Sequence, residues 1–416
     1  MATLQENVKR KLHRREVVNP DKTLIGKYCK NLYTRFEVNP NGGATLCCGS
    51  WLPIKVGNIL RDSVKDVFNS EKAQELRNQM FTNDWKYCNH DTCPHIVADD
   101  LPEQDWIKEC PTDSNIATER STNKKADGSK RYFKGGQPVF QWEKDALENK
   151  SLTPYPYPID VLFGTDESCN LWCPSCRPGR RQYLEGPEYE RRKLVTDKLM
   201  DAVFEIDPAQ KVEIWVTGSG DPFGSKIYRE LLQKIDGRAH PNLHVNLQTN
   251  GVMLTPKMYD SMHKIHDNLN GIIVSFDAGT KDTYENKTRL GGNWDILLKN
   301  CDYLSTKSIV TDYKHIKRTE KHIMLGFSYV VSADNYKEMP VFIDLVKSRW
   351  QYPASISFSL ILDWDVMPDE AFIKRAVWAP SHPEYNDFME VLKHPLFKEE
   401  GVTYGNMRYL YDKANQ

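Results

Sequence analysis

Three cysteines stand together in the segment Glu167-Ser168-Cys169-Asn170-Leu171-Trp172-Cys173-Pro174-Ser175-Cys176, with the spacing C-x3-C-x2-C. Thiolates are soft ligands, and three of them this close together suit an iron–sulfur cluster in which one iron is left without a protein ligand. Zinc is the alternative, although structural zinc is usually closed by four ligands drawn from paired knuckles. A second set lies nearer the N-terminus: Cys29, the pair Cys47-Cys48, then Cys88 and Cys93, with Cys110 beyond them. In a chain of 416 residues that has no need of disulfide staples, clustered thiols read first as metal ligands. Cys301 stands apart, on a helix face with Leu297, Leu298 and Leu304, and is expected in the core.

These groups need a scaffold, and from Pro156 onward the pattern supplies one. Short apolar runs at Ile159–Gly164, Val212–Thr217, Leu243–Gln248, Gly271–Phe276, Ile323–Val331 and Ser355–Leu362 read as strands. Between them lie helix-period segments at Glu188–Ile206, Lys226–Asp236, Pro256–His266, Trp294–Leu304 and Asn335–Arg349. This α/β alternation predicts a parallel sheet with crossover helices. Six strands suit a partial (β/α)6 TIM-type barrel better than a closed eight-stranded one, with an open doubly wound sheet as the alternative. In both, reactive residues sit where strands end, and the cysteine trio directly follows the first strand.

Five regions are expected: a basic lead-in over residues 1–22, a Cys-rich module over 23–110, a polar linker over 111–150, the barrel over 151–366 and a C-terminal cap or lid over 367–416. The Cys-rich module carries a turn at Pro40-Asn41-Gly42-Gly43 and an amphipathic helix around Val64–Met80. Lys+Arg (56) and Asp+Glu (57) nearly cancel, so no global field gathers nucleic acid or anionic membrane. The 39% hydrophobic and 27% charged composition belongs to a globular protein with a sizeable core. No apolar run approaches the roughly 18 residues that a bilayer span needs. The basic stretch Lys9–Arg15 has no apolar segment behind it and does not read as a secretory signal. A cytoplasmic protein is expected, without membrane or nucleic-acid partners.

The cysteine trio and its place after the first strand resemble the radical S-adenosylmethionine (SAM) superfamily, over roughly Pro156 to Asp365. The resemblance implies that Cys169, Cys173 and Cys176 bind a [4Fe-4S] cluster and that SAM occupies its open iron. Ser175 stands where the family often has an aromatic residue. Gly218-Ser219-Gly220-Asp221-Pro222 looks like the family's GGEP segment, which implies that Ser219, Gly220 and Asp221 receive the SAM amino group; an ordinary Gly-rich strand-to-helix loop is the plainer reading. Gln248-Thr249-Asn250-Gly251 resembles the TNG segment that ends the third strand. Ser275 and Asp277 stand where the family reaches the SAM ribose or carboxylate, and Arg289 looks like its carboxylate-pairing arginine. A planar guanidinium fork suits that partner, although a solvated loop charge is the other reading. Asn335 also matches a family position and reads equally as a helix cap.

The implied chemistry is reductive cleavage of SAM to a 5′-deoxyadenosyl radical that abstracts hydrogen from a substrate. A peptide or protein is the first expectation, with a sugar or other small metabolite as the alternative, and a flavodoxin- or ferredoxin-type protein as reductant. A non-enzymatic iron–sulfur or zinc module is the competing class. Cys29, Gly42 and Cys47 form a C-x12-G-x4-C pattern that resembles the opening of SPASM and twitch domains. That resemblance implies an auxiliary [4Fe-4S] cluster, with Cys88 and Cys93 completing four ligands; zinc suits four thiolates too. Cys48 could replace Cys47, because Gly43 stands the same distance before it. Cys110 is expected as a free surface thiol. Arg177, Arg180 and Arg181 read as a solvated loop, or as a hold for a substrate anion; Lys124, Lys125, Lys130, Arg131 and Lys134 read as a charged linker. Tyr404, Tyr409 and Tyr411 read as lid packing or as the lining of a substrate channel.

Overall fold

The computed structural model describes residues 24–90, 93–97, 99–109, 122–124, 130–132, 139–216, 220–307, 323–350, 355–363 and 366–416. The basic lead-in, Cys110 and most of the 111–150 segment lie outside them. The described residues divide into two compact units, one formed by 24–38 with 42–161, the other by 39–41 with 162–416.

In the N-terminal unit, β1 (Arg35–Val38) pairs antiparallel with β2 (Gly43–Thr45), which pairs antiparallel with β3 (Gly57–Asn58). Gly42 has φ +78°, and a Cβ there would lie 2.7 Å from Asn58 Oδ1, so this turn position requires glycine. The helix expected over Val64–Met80 is two helices, α1 (Val64–Phe68) and α2 (Glu71–Thr82). The break falls at Asn69-Ser70 because Ser70 leaves the helical region and its hydroxyl caps the Ala73 amide. α2 buries Ala73, Leu76, Arg77 and Met80, the i, i+3, i+4, i+7 face of an amphipathic helix. Arg77 is fully buried, and its fork donates to the carbonyls of Leu32 (2.9 Å), Phe68 (2.7 Å) and Leu152 (2.8 Å), tying three segments together. Burial lowers its pKa to about 10.

Part of the expected linker belongs to this unit. In α3 (Gln141–Glu148), Glu143 is fully buried, accepts the Tyr28 hydroxyl and pairs with Lys30 at 3.4 Å. A buried carboxylate with two such partners fixes the helix to the module, which is why the boundary falls after residue 150.

The second unit is the barrel. Its strands are β4 (Asp160–Phe163), β5 (Val212–Val216), β6 (Leu243–Thr249), β7 (Leu269–Ser275), β8 (Met324–Val331), β9 (Ser355–Leu360) and β10 (Val402–Thr403). They lie in the sheet in strict chain order, and every pair from β5 to β10 is parallel. A doubly wound sheet reverses its strand order at a switch point; a sequential order is the winding of a (β/α) barrel, so the open-sheet alternative is excluded. The crossovers include α4 (Pro187–Phe204), α5 (Lys226–Lys234), α6 (Pro256–Ser261), α7 (Trp294–Ser305) and α8 (Met339–Arg349). α8 starts four residues later than the pattern predicts, after a 3-10 turn at Tyr336–Glu338, because Pro340 suits only a first helical turn.

The C-terminal tail is more than a cap. β10 extends the sheet by pairing with Ile356 and Ser357, and the Tyr404 and Tyr411 rings stack at 4.0 Å, so the tail packs as part of the barrel unit. Cys301 is fully buried in α7, as expected. Among the described residues no helix is long and apolar enough to cross a membrane.

Replacing Arg77 by Met leaves three buried carbonyls unpaired and is expected to destabilise the N-terminal unit by about 3–5 kcal/mol. Denaturant unfolding of the full chain measures this, and Arg77→Lys, which keeps the charge without the fork, is expected to recover only part of the loss.

Candidate functional site

The loop after β4 carries the cysteine trio and has little regular structure of its own, so its polar groups must be paired from outside. Asp166, fully buried, supplies much of this. Its Oδ1 accepts the Ser168 amide (3.1 Å) and hydroxyl (3.0 Å), and its Oδ2 accepts the Ser225 hydroxyl (2.5 Å). The Tyr228 hydroxyl accepts the Asp166 amide and donates to the Phe163 carbonyl. Cys169 bridges to Arg181 through its amide, and the amides of Cys176 and Arg177 close a turn on the Cys173 carbonyl.

The loop after β5 presses against this one. A Cβ on Gly220 would lie 2.4 Å from the Asp166 carbonyl oxygen, and one on Gly224 would lie 3.0 Å from Cys169 Cα. Glycine at both positions lets two backbones meet. Asp221 is 2% exposed, and both its oxygens are engaged: Oδ1 accepts the amides of Phe223 and Gly224, Oδ2 the Thr249 hydroxyl (2.8 Å) and the Asn250 amide (2.7 Å). It therefore latches the ends of β5 and β6 together. Ser219 lies outside the described residues.

At the end of β7, Asp277 is buried with φ +55°, and its Oδ1 accepts the Val330 amide at 2.7 Å. A π-helical turn, Tyr284–Thr288, sets Arg289 so that its guanidinium pairs with Asp277 Oδ2 at 2.7 Å and donates to Cys173 Sγ at 3.6 Å. Burial alone would lower the Arg289 pKa; Asp277 and then Cys173 hold it above the ordinary value. Burial raises the Asp277 pKa, and Arg289 opposes this. Arg289 is thus a buried ion-pair partner, not a solvated charge. Among the described residues, its Nε and the Tyr284 hydroxyl are buried without a hydrogen-bond partner. Ser275 is buried, and its hydroxyl accepts from Ser328 at 3.1 Å. Asn335 does not cap its helix: its side chain donates to the Asp277 and Val330 carbonyls and accepts the Ser332 amide.

Two contacts to the sulfurs escape sequence reasoning. Asn250 Nδ2 lies 3.7 Å from Cys169 Sγ, and Arg177 Nη2 lies 3.3 Å from Cys176 Sγ. Arg177 is 6% exposed, so the solvated-loop reading of this residue is corrected. Its position directly after the third cysteine was the only available signal.

Burial pushes the Cys169 thiol up to about 12 and raises Cys173, while Arg177 and Arg289 respectively pull the other way. Sulfurs that are dry yet flanked by guanidinium donors favour ionisation once a cationic metal group is bound. With the unpartnered Arg289 Nε nearby, the donor set fits an iron–sulfur cluster and an anionic ligand. Among the described residues no three His, Cys, Asp or Glu side chains are gathered as a single-ion site, so the fit rests on donor chemistry. An open cleft adjoins the trio, lined by Pro174, Ser175, Asp277, Ser332, Asp334 and Arg375 among others.

In the N-terminal unit, Cys29 and Cys93 lie within electrostatic range of each other and of Cys47 and Cys88. Burial raises Cys29 to about 12, with Cys93 adding to it; burial and then Cys29 raise both Cys47 and Cys88. Burial also raises Cys93. Asn31 Nδ2 lies 3.7 Å from Cys47 Sγ, and Gln79 Nε2 lies 3.6 Å from Cys88 Sγ. Cys48 instead feels burial and Glu37, with Arg35 and the Ser50 and Trp51 amides as neighbours.

Residues 167–316 match the family model described as the radical SAM superfamily, and residues 29–94 match the SPASM iron–sulfur cluster-binding domain. The chain carries a radical SAM domain preceded by a SPASM domain. The SPASM match begins at Cys29 and ends one residue beyond Cys93, and the radical SAM match opens two residues before Cys169. These domains bring a [4Fe-4S] cluster with SAM and an auxiliary cluster. Among solved structures, Streptococcus suis SuiB bound to S-adenosylmethionine matches at 10% identity over 64% of this chain, with a TM-score of 0.39. This chain spans 56% of that one. No curated protein matches.

Cys47→Ser is expected to lower iron per reconstituted radical SAM–SPASM chain by roughly the content of one four-iron cluster, whereas Cys48→Ser leaves it unchanged. Iron and sulfide analysis of the two variants checks this.

Proposed function

We propose that this chain is a radical SAM enzyme that abstracts hydrogen from a peptide or protein substrate. Cys169, Cys173 and Cys176 would hold a [4Fe-4S] cluster with one iron free of protein ligands, which would bind SAM and supply the electron for its reductive cleavage. The protein holds, orients and shields these groups. Cys169, Cys173 and Cys176 are the proposed cluster ligands, at the C-terminal end of the first barrel strand. The observation that carries the reading is that each of these sulfurs has its own side-chain N–H donor, from Asn250, Arg289 and Arg177, beside an open cleft.

Within this reading, the Arg289–Asp277 pair lines the SAM site, with Ser275 at the same strand end as Asp277. Gly220 gives the backbone approach, and Asp221 acts through its latch to β6. The cleft carries both charges, with Asp334 paired to Arg375 at 2.9 Å, which suits the polar backbone of a peptide segment; a sugar is the next candidate. Cys29, Cys47, Cys88 and Cys93 are the proposed ligands of the auxiliary cluster. A flavodoxin or ferredoxin in the cytoplasm is the proposed electron source.

Anaerobically reconstituted protein, given SAM and dithionite, is expected to form 5′-deoxyadenosine, and Cys173→Ala is expected to reduce the yield to background. Protein with its full iron content that leaves SAM intact would be a binding module and not an enzyme.

A further inference from the structure

Tyr284 opens the π-helical turn that delivers Arg289, and its side chain is fully buried. The ring is fixed on two sides. A Cβ on Gly292 would lie 2.6 Å from Tyr284 Cε1, so glycine lets the chain close over the ring, and the Trp294 indole meets it edge-on at 5.5 Å. The Tyr284 carbonyl accepts the Arg289 amide at 2.8 Å, which ties both side chains to one backbone turn. Among the described residues, the Tyr284 hydroxyl and Arg289 Nε nevertheless have no hydrogen-bond partner. A phenol in a core usually finds an acceptor, and phenylalanine would fill this space without the cost of an unpaired hydroxyl.

The surroundings define the acceptor that suits it. Arg289 donates to Cys173 Sγ at 3.6 Å, and Cys173 is itself buried. Tyr284 lies within electrostatic range of Arg289, Cys173, Cys301 and Asp277. Burial raises its pKa, Arg289 opposes this and Cys173 adds to it, so the hydroxyl keeps its proton and is available as a donor. Asp277 is already engaged, one oxygen by the Val330 amide and the other by Arg289. We propose that Tyr284 donates its hydroxyl to the anionic group bound at Cys173, either a sulfur of the barrel cluster or the carboxylate of SAM. The inference rests on the cluster reading above. Arg289 Nε can only donate, so two unpaired donors in one dry place call for a negatively charged acceptor. Each electron added to a thiolate-bound cluster makes it more negative, so a donor to its sulfur stabilises the reduced form and raises the potential.

The test compares three full-length, anaerobically reconstituted proteins: wild type, Tyr284→Phe, which loses only the hydroxyl, and a chain with para-aminophenylalanine at residue 284, which keeps a neutral donor on the same ring. Two readings separate the acceptors. The midpoint of the barrel cluster, titrated with dithionite without SAM and followed by EPR, is expected to move negative in Tyr284→Phe if a cluster sulfur is the acceptor. The affinity of the loaded protein for SAM, measured by equilibrium dialysis, is expected to fall roughly tenfold in Tyr284→Phe if the carboxylate is the acceptor. The para-aminophenylalanine chain is expected to stay near wild type in both. If Tyr284→Phe takes up no barrel cluster while the para-aminophenylalanine chain does, the donor is again the deciding property and the proposal stands. Wild-type values for Tyr284→Phe in both readings, an equal shift in both altered chains, or loss of the cluster from both would overturn it. Wild-type protein that takes up no iron would instead overturn the cluster reading, and this inference with it.

Discussion

An irregular loop placed in a dry interior must have its backbone paired by something, and in this chain two buried carboxylates do it. Asp166 binds the start of the cysteine loop to the Ser225 hydroxyl, and Asp221 binds the neighbouring loop to the end of β6. Both carboxylates spend their lone pairs on amides and hydroxyls, the arrangement that makes a buried charge tolerable. Gly220 and Gly224 then allow the two loops to touch backbone to backbone. The positions of Cys169, Cys173 and Cys176 are consequences of this latch, since nothing in the loop's own secondary structure would hold three thiols together.

The two cysteine sites solve the same electrostatic problem with different partners. Burial raises the thiol pKa in both, so the bare thiolate is disfavoured until a cation joins it. The barrel trio is flanked by two guanidiniums, Arg177 and Arg289. The N-terminal quartet receives side-chain amides from Asn31 and Gln79, with Arg35 acting on Cys47 from further away. Hydrogen bonds and nearby charge are the levers by which a protein tunes an iron–sulfur site, and the two groups of sulfurs differ in both.

Much of the architecture was legible beforehand because it depends on local periodicity. The strand and helix alternation, the turn at Gly42 and the placement of the trio after the first strand all follow from patterns a few residues long. The N-terminal helix split where Ser70 could cap it, and α8 began late where Pro340 allowed it, both local effects within reach of a closer reading. The family resemblance carried the cofactor classes: the SPASM match runs from Cys29 to one residue past Cys93, and the radical SAM match opens two residues before Cys169.

The amino-acid sequence by itself determined the ligand chemistry and the order of strands along the chain, because residue spacing and hydrophobic period are one-dimensional properties. Tertiary structure alone decided which side chains face the sulfurs. Asn250 lies 81 residues from Cys169 and Arg289 lies 116 from Cys173, and no local pattern links them. Tertiary structure also turned Asp221 inward as a latch, separated Cys47 from Cys48, and drew the β10 tail into the sheet. These outcomes depend on which surfaces meet when the core closes, and long-range packing sets that rather than any property of the residues read in order.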